Sequence, residues 1–197
     1  QFAGNISGVG GSLVKAGTSI LTLSGSNTYT GTTRVAGGKL VLGRNAHAPV
    51  LSGAGGADIQ SGRLVLDYSN GGTDPAAQVQ SILTTGFGQT PKFSTGQIRT
   101  SNPPDSLKGL GWLDDAANQQ VSIAYTWYGD ADLNGQVDVA DLGTLASSWQ
   151  TAGIWTSGDF DYNGTVDVND LGLLATNWQA GVGNPLGPGS LVEAVAS

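Results

Sequence analysis

The side chains able to do chemistry are concentrated in two stretches, DADLNGQVDVAD (130–141) and DFDYNGTVDVND (159–170). Together they hold 8 of the 15 acidic residues of the chain, and their starts lie 29 residues apart. An oxygen-only calcium loop takes ligands at positions 1, 3, 5, 7, 9 and 12, with Gly at 6 for the sharp turn. In the first stretch those positions are Asp130, Asp132, Asn134, the Gln136 carbonyl, Asp138 and Asp141, with Gly135 at 6. In the second they are Asp159, Asp161, Asn163, the Thr165 carbonyl, Asp167 and Asp170, with Gly164 at 6. Val137 and Val166, at position 8, are the apolar anchors expected to pack the two loops together. Hard oxygens at this spacing suit Ca²⁺ better than Mg²⁺, which dehydrates reluctantly, so the pattern predicts two calcium ions. Without the ions the carboxylates of each loop repel one another, and the segment is expected to loosen or unfold.

Each loop opens a predicted helix, DLGTLASSW (141–149) and DLGLLATNW (170–178). Leu142, Leu145 and Trp149 recur at Leu171, Leu174 and Trp178 with helical spacing, which places both tryptophans in the core of the pair. Residues 129–150 and 158–179 agree at 15 of 22 positions, so this segment is an internal duplication.

A single helix after each loop, none before the first, and Asp at position 12 depart from the helix–loop–helix EF-hand. Residues 128–182 instead resemble a dockerin module, and the calcium ligands of that family fall on the twelve residues named above. The resemblance implies a small α-helical, EF-hand-type module and, as partner, a cohesin-like scaffold protein. In cellulosomal dockerins positions 10 and 11 and basic residues of the following helix make that contact. Here they are Val139-Ala140 and Val168-Asn169, then Ala146-Ser147 and Ala175-Thr176, and the module has no Lys or Arg. Val139 and Val168 are therefore expected to pack internally or to meet a more apolar partner.

The elements before this module read as β. GSLVKAG, SILTLSG, GGKLVLG and SGRLVLDY are short apolar runs bounded by Gly, Ser or Asn. Leu21/Leu23, Leu40/Leu42 and Leu64/Leu66 are i, i+2 pairs on one strand face, recurring every 19 to 24 residues. That period fits one strand per coil of a solenoid, whose coils bury apolar side chains only by stacking. Residues 21–43, LTLSGSNTYTGTTRVAGGKLVLG, resemble the passenger-associated repeat of autotransporter-like bacterial surface proteins. The resemblance implies a right-handed β-solenoid, export and a stalk or spacer role. The two resemblances occur together in large secreted proteins of planctomycete-like bacteria. The expected organisation is a short right-handed β-solenoid (1–70), a β-rich cap (71–127), the dockerin-like module (128–182) and a Gly/Pro tail (183–197). The cap includes a helix over 74–86 with Asp74 as N-cap, Gly86 as its end, and Val79, Ile82 and Leu83 inward. QQVSIAYTWYG (119–129) reads as its strand, with Val121, Ile123, Tyr125 and Trp127 on one face.

Charge is uneven: residues 1–108 hold all eight Lys and Arg and sum to +4, while residues 109–197 sum to −11. Such halves attract each other within a molecule or head to tail between copies. No basic patch with interleaved aromatics points to nucleic acid, and no run of about 18 apolar residues points to a membrane span. With no Cys there is no disulfide or thiolate site. A chain that begins at Gln1 and lacks Met is expected to be a processed or excised form. One His (His47) and one Glu (Glu193) give little for catalysis, and Asp58, Asp67 and Asp74 are weak candidates for an acid–base group, so no enzyme is expected. Trp112 and Trp155 are candidates for a glycan platform. The tail is expected to dock as an added strand on a sheet edge, on a neighbouring copy. The functional expectation is an extracellular, calcium-stabilised structural protein that self-assembles into a surface layer or fibre. The alternative is a dockerin anchor on a cohesin-like scaffold.

Overall fold

The computed structural model describes residues 1–103 and 105–183. The expected docking of the tail falls on residues 184–197, outside the described residues. Among the described residues, nine strands and four short α-helices make the protein mainly β. Strands β1 (Leu13–Lys15), β3 (Thr33–Val35), β5 (Ala57–Ile59) and β7 (Ile98–Arg99) form one parallel sheet in that order. Strands β2 (Ile20–Leu23), β4 (Lys39–Gly43) and β6 (Arg63–Asp67) form a second parallel stack, extended by the antiparallel β9 (Gln120–Trp127) and β8 (Lys108–Asp115). The chain thus alternates between the two sheets.

The leucine pairs stand in register. Leu21, Leu40, Leu64 and Ile123 form one row, and Leu23, Leu42, Leu66 and Val121 the next. In the facing sheet Val35 and Ile59 stack, and Ala57 pairs with Ile98. These side chains share one apolar cluster that continues through the loop–helix pair to Leu145 and Leu174. The four strands expected from apolar alternation are present. The facing strands β3, β5 and β7 are two or three residues long, too short to show period-2 alternation. β8 is a continuous eight-residue strand, but Gly109 and Gly111 leave its sequence without an apolar run.

Helix α1 (Ala48–Leu51) lies in the turn after β4, and α2 (Ala76–Phe87) is the expected cap helix. Pro75, not Asp74, takes the N-cap position, because the helix starts one residue later than expected. Asp74 still accepts the Ala76 N–H at 2.8 Å, Val79 and Leu83 are fully buried, and Ile82 packs against the same core. The helix does not stop at Gly86. It runs through that residue because a bare Cα lets Phe93 close on it: a Cβ there would meet the Phe93 ring at 2.8 Å.

Helices α3 (Val139–Ser147) and α4 (Val168–Thr176) begin two residues earlier than expected and end before the tryptophans. Trp149 and Trp178 are 38% and 43% exposed, which corrects their expected place in the core. The chain leaves each helix through a left-handed residue, Gln150 or Gln179, and swings the indole outward. Trp155, Phe160 and Tyr162 fill the interior instead. Among the described residues no helix is long and apolar enough to cross a membrane.

Leu64 is fully buried between Leu40 and Ile123. Leu64→Ala is expected to lower unfolding stability by about 3 kcal/mol, read as a shifted urea midpoint at unchanged slope. A loss below about 1 kcal/mol would contradict this packing.

Candidate metal centre

The two acidic loops curl around their own carboxylates. Asp130 Oδ1 accepts the Asn134 N–H and Oδ2 the Gly135 N–H, both at 3.0 Å, with the Thr126 hydroxyl also donating to Oδ2. Asp159 accepts from Asn163 and Gly164 at 3.1 and 3.0 Å. The turn requires φ near +88° at Gly135 and +89° at Gly164, while a Cβ at either would meet nothing. Backbone conformation, not space, demands glycine at position 6.

Position 12 ties the loop's start to the helix. Asp141 Oδ1 accepts from the Ala131 N–H at 2.8 Å and its Oδ2 from the Asp138 N–H at 2.9 Å. Asp170 accepts from Phe160 at 2.7 Å, Asp161 at 3.1 Å and Asp167 at 2.9 Å. Asp138 and Asp167 cap α3 and α4 by accepting from Ala140 and Asn169, which completes a capping box at each helix.

Carboxylate oxygens of Asp130, Asp132 and Asp141 lie within 4.8 Å of one another, as do those of Asp159, Asp161 and Asp170. Asn134 and Asn163 border these groups, each donating its amide to the position-3 carboxylate at 3.0 and 3.1 Å. Asp138 and Asp167 stay outside the close groups, as suits a position-9 residue that acts through water. Gln136 and Thr165 donate their N–H to Asn134 and Asn163, at 2.7 and 2.8 Å.

Asp130, Asp141, Asp159 and Asp170 are at most 2% exposed. Among the described residues no cationic side chain pairs with them, and the one ion pair there is Arg34–Asp58 at 3.1 Å. Burial, opposed by the loop hydrogen bonds, pushes the Asp130 carboxyl up to about 6 and Asp159 up to about 7. Asp141 and Asp170 are raised for the same reason. Hard oxygens converging at two buried, uncompensated negative sites fit a divalent cation.

Val137 and Val166 are fully buried, and their backbones pair across the duplication. Val137 exchanges hydrogen bonds with Gln179 and Ala180 beyond α4, and Val166 with Gln150 and Thr151 beyond α3. Each loop is therefore closed by the segment that follows the other helix.

Other expected groups take structural roles. Trp112 and Trp155 are 2% and 0% exposed, so neither is a glycan platform. Asp58 pairs with Arg34 and accepts from Ser101, Asp67 accepts from Ser69, and Asp74 accepts the Ala76 N–H in the turn leading into α2. Sequence reasoning missed the Thr126 hydroxyl on Asp130, the Trp155 Nε1 donating to the Asp130 carbonyl at 2.7 Å, and the buried position-4 residues Leu133 and Tyr162. The signal for the last pair was an apolar residue at position 4 of both loops.

A family model described as the passenger-associated-transport-repeat matches residues 13–42, which run from β1 to Leu42 within β4. No curated protein and no solved structure matches the chain.

A raised folded-state pKa means that the folded chain binds protons the unfolded chain has released. The stability contributed by Asp130 and Asp159 is present below the ordinary carboxyl range and is lost as pH rises through about 6 and 7. In chelator, the melting temperature is expected to fall between about pH 5 and pH 7.5. A rise across that window, followed by circular dichroism, would contradict the buried, uncompensated state of these carboxyls.

Proposed function

We propose that this chain is an extracellular calcium-binding structural protein, exported and built as a short right-handed β-solenoid with a C-terminal dockerin-like module. The observation that carries the reading is the pair of buried carboxylate groups with no cationic partner among the described residues. When bound, calcium supplies the positive charge these groups lack. Asp130, Asp132, Asn134, the Gln136 carbonyl, Asp138 and Asp141 hold one ion. Asp159, Asp161, Asn163, the Thr165 carbonyl, Asp167 and Asp170 hold the other. The alternation of strands between two parallel sheets, together with the repeat match, supports the solenoid and an exported, surface location.

In this reading the chain assembles with copies of itself into a surface layer or fibre. Exposed apolar side chains on β1 and β2 support it: among the described residues Val14 and Ile20 are 58% and 66% exposed, and Phe2 bridges to Leu23 beside β2. Apolar strand surface of this kind suits pairing with a further strand. Charge attraction between copies remains available, because most basic side chains are held in place within the chain and, among the described residues, only Arg34 forms an ion pair. Lys15, Arg44, Arg63 and Arg99 donate to backbone carbonyls, Arg34 pairs with Asp58, and Lys92 and Lys108 sit over Phe87 and Trp127.

A second reading, a dockerin anchor for a cohesin-like scaffold, is favoured by one feature. Val139 and Val168, at position 10 of each loop, are 75% and 68% exposed, a matched apolar pair on the outer surface.

Titration calorimetry is expected to find two calcium ions per chain. Asp130→Asn with Asp159→Asn is expected to weaken binding about a hundredfold. Sedimentation in calcium and then in chelator separates the readings. Large particles that dissociate on chelation support self-assembly. A monomer under both conditions overturns it and favours the anchor.

A further inference from the structure

The seam between the loop–helix pair and the β body is made largely by the loops themselves. Position 4 is Leu133 in the first loop and Tyr162 in the second. Both are left-handed, with φ of +58° and +59°, and both are buried. That conformation disfavours a non-glycine residue, so the surroundings must hold it. Tyr162 Oη donates to the Leu110 carbonyl of β8, and Arg63 of β6 donates to the Leu133 carbonyl. The Tyr162 ring meets Phe87, Phe93 and Trp155 at centroid distances of 5.6, 6.1 and 5.7 Å. The Trp155 indole fills the space above Gly111 of β8, where a Cβ would lie 2.5 Å from the ring. Asn177, beyond α4, joins the carbonyls of Leu107 and Tyr128 at 2.9 and 2.7 Å, at the paired ends of β8 and β9.

The residue following each position 4 donates its N–H to the position-1 and position-3 carboxylates. Whatever spreads those carboxylates re-aims position 4 and withdraws it from the body. We infer that Tyr162 and Leu133 are positioning residues that couple ion occupancy of the loops to the β body, Tyr162 to β8 and Leu133 to the start of β6 through Arg63. The loop–helix pair is thus a clasp that closes the β body, not a head tethered to it. The inference rests on the calcium reading of the loops.

Hydrogen exchange on the whole chain, in calcium and in chelator, tests it peptide by peptide. Chelation is expected to speed exchange about tenfold in peptides covering 107–115 together with both loops, and to leave 39–59 largely protected. Tyr162→Phe keeps the ring, loses the bond to Leu110, and is expected to weaken calcium binding about fivefold. Loops that exchange on chelation while 107–115 stays protected would overturn the coupling and leave the calcium reading standing. Unchanged calcium affinity in Tyr162→Phe would likewise count against it. Absence of calcium binding by the unmodified chain would overturn both readings together.

Discussion

Asp130, Asp141, Asp159 and Asp170 are held out of water without a cationic partner among the described residues. Burying a carboxylate costs several kcal/mol unless charge or hydrogen bonds offset it. The loops supply part of the offset by aiming backbone N–H groups inward, from Asn134 and Gly135 in one and Asn163 and Gly164 in the other. The remainder falls to a proton or a cation. Glycine at position 6, the capping boxes that start α3 and α4, and the left-handed residues at position 4 all follow from wrapping backbone around these charges.

The duplication makes the two sites interdependent. Val137 pairs beyond α4 and Val166 beyond α3. Gly129 packs on Leu174, and Gly158 packs on Leu145. Neither unit closes its own core, so disorder in one removes a wall of the other. Of the loop positions that differ, the buried ones are 2 and 4, where Ala131 and Leu133 answer to Phe160 and Tyr162. The larger side chains of the second loop enter the aromatic seam with Trp155.

The β stack has chemically different ends. At the N-terminal end Lys15 occupies the row of Val35 and Ile59, and its buried ammonium donates to the carbonyls of Ala16, Gly17 and Gly37. A cation satisfied by turn carbonyls there takes the place of an apolar side chain on the last described strand of that sheet. At the other end β9 reverses direction against β6, and β8 is covered by Trp155 and Tyr162. The β strands and the acidic loops therefore share one continuous apolar interior.

The acidic spacing by itself determined the loops, their glycine turns and the helices that follow, because carboxylates that accept backbone N–H groups and a glycine at the turn recur at fixed intervals. Leucine pairs likewise determined the rows of one parallel stack, since inward positions recur from strand to strand at matching register. The facing strands β3, β5 and β7, with two or three residues each, carry too little alternation to be read locally. Only the tertiary structure decided that Trp149 and Trp178 turn outward while Trp155 turns inward. That choice depends on where each helix ends and on a glycine in a distant strand. It also decided that position 4 of each loop faces the β body, because those contacts join residues 52 and 70 positions apart. Local spacing specifies what a segment binds to itself; what it packs against is set by the rest of the chain.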